Sequence, residues 1–539
     1  MKKIEQFLLN LFCAVLILHG QAFAGETKED NATGEELFTV EGNQINMPLK
    51  SVLLLALKNN LTIKFESLKP DISEAGITKE KGSFDTLLTT QWQKTHSVTQ
   101  VGSALGSTSS PVVKQEKYNL DAKLQKKFTP GTQAELKMTH EESMTDVSFQ
   151  GLKPQYKGEL LMSLTQPLLK DFGIDIGESF IKIANLNFEI SQNDFRKNVM
   201  DTLFQVEAAY WDLYYSIQDS SSKEKSLKMA EDLLREFKIR IEAGTLAPIE
   251  IYQADAQVAL RTQDVIVAKS TVKDAEDNLK AALNLYENEK YWNITIVPTD
   301  NPSINATHPD LAECIKTALE MRPDFKDAKL SIKTADIQVK YSKNQTLPRI
   351  DLIGSIGTSG MSGKPASTAG AFGPFFAGTQ SPYKGHWGDV YDYMNDGDYY
   401  SYLIGVKIEF PLENRIAKSQ YAKAKIQAAQ AVTSLKSAET LIINQVRDAV
   451  RKVETSQRLI ETSTASLRLS QEKLRAEEKK YSVGMSTAHD VLEFQSDLAK
   501  AESTLAFAKA GYNKSVANLS RVKGVLLDDK GLTLSNAAR

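Results

Sequence analysis

Among the side chains able to do chemistry, the acids of "KKYSVGMSTAHDVLEFQ" (479–495) have the most informative setting. Asp490 and Glu493 follow a lone glycine, Gly484, by six and nine residues, which places them on the first turns of a helix beyond a break. Copies of such acids around a narrowing would focus negative potential, repelling anions and holding cations. Acids near a helix N-terminus are also what the helix dipole favours in any solvated helix. Enzyme chemistry finds less support. The six histidines, His19, His96, His140, His308, His386 and His489, are scattered without metal-ligand spacing, and no nucleophile motif accompanies them. His489, beside Asp490, reads as a tip or partner-facing residue rather than a base. Asp389, Asp392, Asp396 and Asp398 depart from a calcium-loop pattern and read as a solvated loop. No catalytic, cofactor or metal residue is assigned, and the chain reads as a non-enzyme.

The first residues define the compartment. Lys2 and Lys3, an apolar stretch from Phe7 to Leu18 and the small-x-small site Ala22-Phe23-Ala24 predict a secretory signal peptide over 1–24. Cys13 lacks the small residue that a lipid-attachment cysteine needs upstream. Cleavage leaves Cys314 alone, a small apolar helix residue with no intrachain disulfide partner. A net charge of −3 with interspersed signs argues against nucleic-acid binding. With no later run of about 18 apolar residues, two options stand: a soluble exported protein, or an outer-membrane protein held by β-strands.

Self-comparison organises the rest. "PLKSVLLLALKNNLTIK" (48–64) matches "PDLAECIKTALEMRPDFK" (309–326), and "IEAGTLAPIEIYQADAQVAL" (241–260) answers "YSVGMSTAHDVLEFQSDLAK" (481–500). Two copies of a unit of about 240 residues follow. Each contains a run free of helix breakers, 178–243 and 412–483, the first long enough to span roughly 100 Å as a helix. Seven-residue stripes mark these runs: Val199, Val206, Leu213, Ser220, Leu227, Leu234 and Ile241, then Ile251 to Tyr286; and Val446 to Tyr481, then Val491 to Leu526. They predict four coiled-coil helices. The second core position is mostly small, as in Ala254, Ala268, Ala275 and Ala282, which suits a wall of close helices.

Six segments alternate with period two, at 84–98, 118–128, 132–144, 156–167, 349–358 and 401–410. Each has the length a tilted strand needs to cross a bilayer, although any half-buried sheet alternates similarly. Tyr118, Phe128, Tyr156, Tyr400 and Phe410 sit at strand ends, where an interfacial girdle places aromatics. "TPGT" (129–132) is a tight turn, whereas 99–117 and 359–399 are long connectors. Six strands are too few to close a barrel, so the chain must pool strands with copies of itself, giving 12 or 18 in a trimer, with the "TPGT" pair either spanning the membrane or forming a flap.

These features resemble the TolC-like outer-membrane efflux protein family. The duplicated Ala56-Leu57 and Ala318-Leu319, "LPRIDL" (347–352), Pro167 and Pro411, and "YSVGMSTAHDVLEFQSDLAKAESTLAFAKAGY" carry the resemblance over nearly the whole mature chain. It implies a mixed α/β membrane protein: a homotrimer whose shared outer-membrane β-barrel continues into a long periplasmic α-helical coiled-coil barrel, with two repeats per chain. The expected division is 25–83 periplasmic segment and short helices, 84–167 strands, 168–297 helical hairpin, 298–346 equatorial linker, 347–411 strands with a long external loop, 412–527 second hairpin and 528–539 tail. The implied function is an outer-membrane channel-tunnel in a tripartite efflux or type I secretion system, with a periplasmic adaptor, an inner-membrane pump and outer-membrane lipid as partners. The competing reading is an exported trimeric coiled-coil structural or adhesin protein. By resemblance, Gly244, Thr245, Gly484 and Met485 form the periplasmic tip turns, Asp490, Glu493 and Glu250 ring the pore entrance, and Tyr481 packs before the turn. Some members carry a basic latch residue where this chain has Ser486.

Overall fold

The computed structural model describes residues 39–41, 44–100, 112–146, 151–244, 247–304, 308–366 and 382–533. The expected signal peptide, Cys13 and Thr245 lie outside them. From the N-terminus come β1 (Thr39–Glu41), β2 (Gln44–Met47), α1 (Leu49–Asn59) and α2 (Leu61–Lys81), then β3 (Leu87–Gln100), β4 (Val112–Lys127), β5 (Gln133–Thr145) and β6 (Leu152–Pro167). The first long helices, α3 (Ser179–Glu242) and α4 (Glu250–Ala282), lead to β7 (Thr295–Pro298), α5 (Leu311–Met321) and α6 (Pro323–Gln345). The chain continues with β8 (Arg349–Pro365), α7 (Asp389–Asn395), β9 (Tyr400–Glu409), α8 (Arg415–Ser482) and α9 (Ala488–Lys523).

The helices begin and end where local chemistry directs. Asn60 accepts from the Thr62 and Ile63 amides at 2.9 and 3.1 Å, opening α2 by satisfying donors that a helix start leaves free. Pro323 opens α6, where its missing N–H costs nothing. α8 starts three residues later than the breaker-free run, because Asn414 adopts a left-handed φ of 48°. At 64 and 68 residues, α3 and α8 are far longer than a globular helix. Among the described residues no helix is long and apolar enough to cross a membrane.

All six alternating segments form strands of one antiparallel sheet, ordered β3-β4-β5-β6-β8-β9. The pair joined by "TPGT" lies inside it, β4 bonded to β3 and β5 to β6, so both strands are part of the continuous sheet. Gly131 turns that hairpin at φ 96°, and a Cβ there would meet the Asp171 carbonyl at 2.3 Å, so the turn demands glycine twice over. β3 and β9 are the edges. A small second sheet, β1-β2-β7, packs at mid-length.

Helix neighbours repeat this layout. Next to the sheet the order is α2, α3, α6, α8; farther away it is α4, α3, α9, α8. The mid-length core joins Val199, Leu203, Val206 and Leu213 of α3 to Val52, Leu53, Ala56 and Leu57 of α1. Each such large side chain contributes about 1.5–3 kcal/mol over an exposed one. A second core sets Ile442, Val446, Val450 and Val453 of α8 against Ala318 of α5 and Ala508 and Tyr512 of α9. Cys314 lies buried there, and burial pushes its thiol pKa up, which fits an inert packing role.

The predicted stripes agree with these cores except near two ends. Between α4 and α9, α3 buries Ser226, Ala230, Leu233 and Phe237, with Leu227 and Leu234 only half-buried. Two flanking helices, rather than a single seam, set the buried face there. Tyr286 leaves the stripe altogether: α4 stops at Ala282, Asn284 takes φ 52°, and Tyr286 is 42% exposed in the following turn.

Candidate functional site

The six-stranded sheet has one apolar and one polar face. Residues opposite each other along each pair are both even-numbered or both odd-numbered, apart from an irregularity between Leu152 and Gln155. Side chains opposed across a pair share a face. The even face carries Leu88, Trp92, Leu124, Leu136, Met162, Ile356, Ile404, Val406 and Ile408, all exposed. Nine such large apolar side chains in water would be untenable for a soluble sheet of this size, and such patches mark a membrane or partner surface.

The odd face is laced with charge. Lys123 Nζ lies 2.9 Å from Glu135 Oε2, Lys117 Nζ 3.4 Å from Glu141 Oε1, and Lys137 Nζ 3.9 Å from Asp121 Oδ1. Farther along, Arg349 Nε donates to Asp351 Oδ2 at 2.7 Å and Lys407 pairs with Glu409 at 2.5 Å. The first three pairs reach diagonally across strands, where opposite charges stabilise the pairing locally, and the near balance of signs leaves this face polar without a strong sign.

The far end of the helices holds the predicted tip residues. α3 and α8 both close on a glycine in the left-handed region, Gly244 at φ 70° and Gly484 at φ 76°. The Gly484 amide donates to the Tyr481 carbonyl at 3.1 Å, and the Met485 amide to the Lys480 carbonyl at 2.9 Å, the pattern by which a glycine ends a helix. Met485 is exposed. Thr487 then opens α9 with a capping box: its side chain accepts from the Asp490 amide while Asp490 accepts from the Thr487 amide.

Asp490 is therefore engaged locally. Thr487 donates its hydroxyl to Asp490 at 2.7 Å, and that bond holds the Asp490 carboxyl below its ordinary pKa. Glu493 stays exposed, and His489 lies 4.0 Å from it. Glu250 stands at the start of α4. Ser486 donates to Glu477 at 2.5 Å, and Lys480 adds a contact at 3.0 Å. The Ser486 bond is the main reason the Glu477 carboxyl is held low. Tyr481 packs on Phe237, with the Arg240 guanidinium 4.9 Å over its ring. Burial pushes its phenol pKa up.

Sequence reasoning passed over two residues. Glu477 gives Ser486 an anionic partner within its own chain, although no basic latch stands there. Arg261 interrupts the alanine stripe at the heptad place between Ala254 and Ala268, and that gap was its signal. Buried between helices, Arg261 donates to Ser226 of α3 and, at 3.1 Å, to the Leu492 carbonyl of α9.

Known proteins place this architecture. A family model described as outer membrane efflux protein matches residues 314–525. Outer membrane protein TolC of Escherichia coli (strain K12) is 25% identical over 382 residues, covering 70% of this chain and 71% of TolC. The CmeC outer membrane channel of Campylobacter jejuni superposes with a TM-score of 0.62 at 14% identity, covering 90% of each chain. VceC of Vibrio cholerae gives 0.60 at 15% identity, covering 88% of this chain and 96% of VceC. The TolC match, the family model over residues 314–525 and the fold agree: the chain is similar to outer membrane efflux proteins, and its location is the outer membrane.

Proposed function

We propose that three copies of this chain close into a channel-tunnel that carries exported substrates across the outer membrane. One observation carries the reading: the same two edges stay open along the whole molecule. Among the described residues β3 and β9 lack an outer strand partner; α2 and α8, which run directly into them, are the outer helices next to the sheet, and α4 and α8 are the outer helices farther away. An unpaired strand edge is not viable in hydrocarbon. Exposed stripes follow the seam, Leu61, Phe65, Leu68 and Ile72 on α2 and Ile416 and Ile426 on α8. The β9–α8 edge of one copy therefore meets the β3–α2 edge of the next.

Three six-stranded sheets make a barrel of about 18 strands rather than 12, a size at which barrels enclose water. The even face meets lipid and the charged odd face lines the lumen. The two repeats of each chain continue as helices to a tip where Asp490, Glu493 and Glu250 ring the entrance. There the tunnel receives cargo from a periplasmic adaptor and inner-membrane pump, in a tripartite efflux or type I secretion system.

The test combines assembly and conduction. Carbonate-washed membranes should retain a heat-modifiable trimer, and cysteines at Trp92 and Val406 neighbouring positions on the β3 and β9 edges should cross-link between copies. Planar bilayers should then show discrete channels. A membrane trimer without conductance would sink the transport reading, and a protein released by carbonate would leave the exported coiled-coil scaffold.

A further inference from the structure

The connector between β8 and β9 places α7 on the even face of the sheet, not over the lumen. Gly158 and Gly360 stand opposite each other on β6 and β8. A Cβ on Gly158 would meet Val390 Cγ1 at 2.7 Å, and one on Gly360 the Val390 carbonyl at 2.2 Å. The two missing side chains thus let the helix lie directly on the strands. Thr358 donates to the Met394 carbonyl at 2.8 Å and Ser362 to the His386 carbonyl at 2.7 Å, so even-numbered residues also fasten both its ends.

Its level on that face is informative. Toward the helices, the next even rows are Met138, Leu160 and Thr358, then Leu136, Met162 and Ile356. Away from them the next row is Glu142, Tyr156 and Ser362. α7 thus sits where the apolar band gives way to polar side chains. At that boundary Trp387, Tyr391 and His140 form an aromatic cluster with ring centroids 5.7 to 6.0 Å apart, and Trp387 remains 44% exposed. Amphipathic rings at such a boundary match the headgroup level of a bilayer.

We propose that α7 is an interfacial anchor that beds against the headgroup–acyl boundary of the outer leaflet, its partner being a lipid surface. The proposal rests on the even face being the lipid wall of the barrel. It assigns the segment an orientation outside the barrel, so it neither plugs the lumen nor stands free in the external medium.

Two tryptophans on this face allow the test. Trp92 on β3 reports on the barrel wall, and Trp387 reports on α7. In proteoliposomes, the emission component lost in W387F should be quenched by phospholipid brominated near the headgroup end of its acyl chains and shielded from aqueous iodide. The component lost in W92F should also be quenched by brominated lipid. Iodide quenching of the Trp387 component without lipid quenching, while the Trp92 component keeps lipid quenching, overturns the anchor and leaves the barrel standing. Loss of lipid quenching from both components overturns the barrel reading and the anchor with it.

Discussion

Arg261 of α4 reaches the Leu492 carbonyl of α9 at 3.1 Å, and this bond ties the first helical hairpin directly to the second just above the tip. α4 and α9 otherwise meet at few points, since α3 lies between them. Burial pushes the guanidinium pKa down, yet an arginine remains charged in proteins. Arg261→Met keeps most of the volume and removes the donors, leaving the Leu492 carbonyl and the Ser226 hydroxyl short of a partner. The expected cost is about 1–3 kcal/mol. Hydrogen exchange should accelerate in the first turns of α9 while the sheet stays unchanged.

Ser486 and Thr487 hold the turn through carboxylates, which sets the sign of its pH response. Glu477 and Asp490 both titrate below their ordinary values of 4.5 and 3.8. A depressed carboxyl contributes stability above its unfolded pKa and loses it as pH falls through the folded one. Proteolysis at the tip should therefore increase as pH drops from about 6 to about 3. Ser486→Ala should flatten the Glu477 part of that response, and Thr487→Ala should cost about 1 kcal/mol at neutral pH as a lost N-cap.

The acids also give an electrical prediction. Glu493 is exposed and Asp490 half-exposed, so three copies at a constriction would attract multivalent cations. Asp490→Asn with Glu493→Gln should weaken block of single channels by trivalent cations. Glu135→Gln with Lys123→Met, a pair on the barrel wall, should leave block unchanged, because the wall charges neutralise each other. Equal block in the wild type and the tip variant would remove the entrance ring.

Asp327 of α6 moves the opposite way. Burial pushes its carboxyl up to about 6, although Asn193 donates to it at 2.8 Å. A raised carboxyl contributes stability that is complete below its unfolded pKa of 3.8 and is lost as pH rises through the folded value. Asp327→Asn should keep the Asn193 bond and remove this loss. At neutral pH it should stabilise the chain by about 1 kcal/mol after allowance for solvent screening, with no gain near pH 4. Thermal unfolding at the two pH values measures the difference.

Much of this was legible in the sequence because periodicity reports faces directly. The six alternating segments became six strands, and the breaker-free runs became α3 and α8 to within a few residues. Pairwise seams were harder to read where a helix has two neighbours, as for Ser226 and Phe237 of α3, because a heptad stripe presumes one. Arg261 was visible only as a polar residue in a small-residue stripe. Its partners, Ser226 and Leu492, lie 35 and 231 positions away, a distance that no local pattern spans. The placement of α7 was likewise hidden, since Gly158 and Gly360 mean nothing until β6 and β8 are paired.

The shared even-and-odd register of the sheet also limits how this protein can change length. One residue inserted within β5 would turn every side chain beyond it, carrying Glu135, Lys137 and Glu141 to the face now held by Leu136 and Met138. Two inserted residues would preserve the alternation and merely lengthen the strand. Gene variants with odd-length insertions should therefore be confined to the connectors, while strands grow or shrink in steps of two.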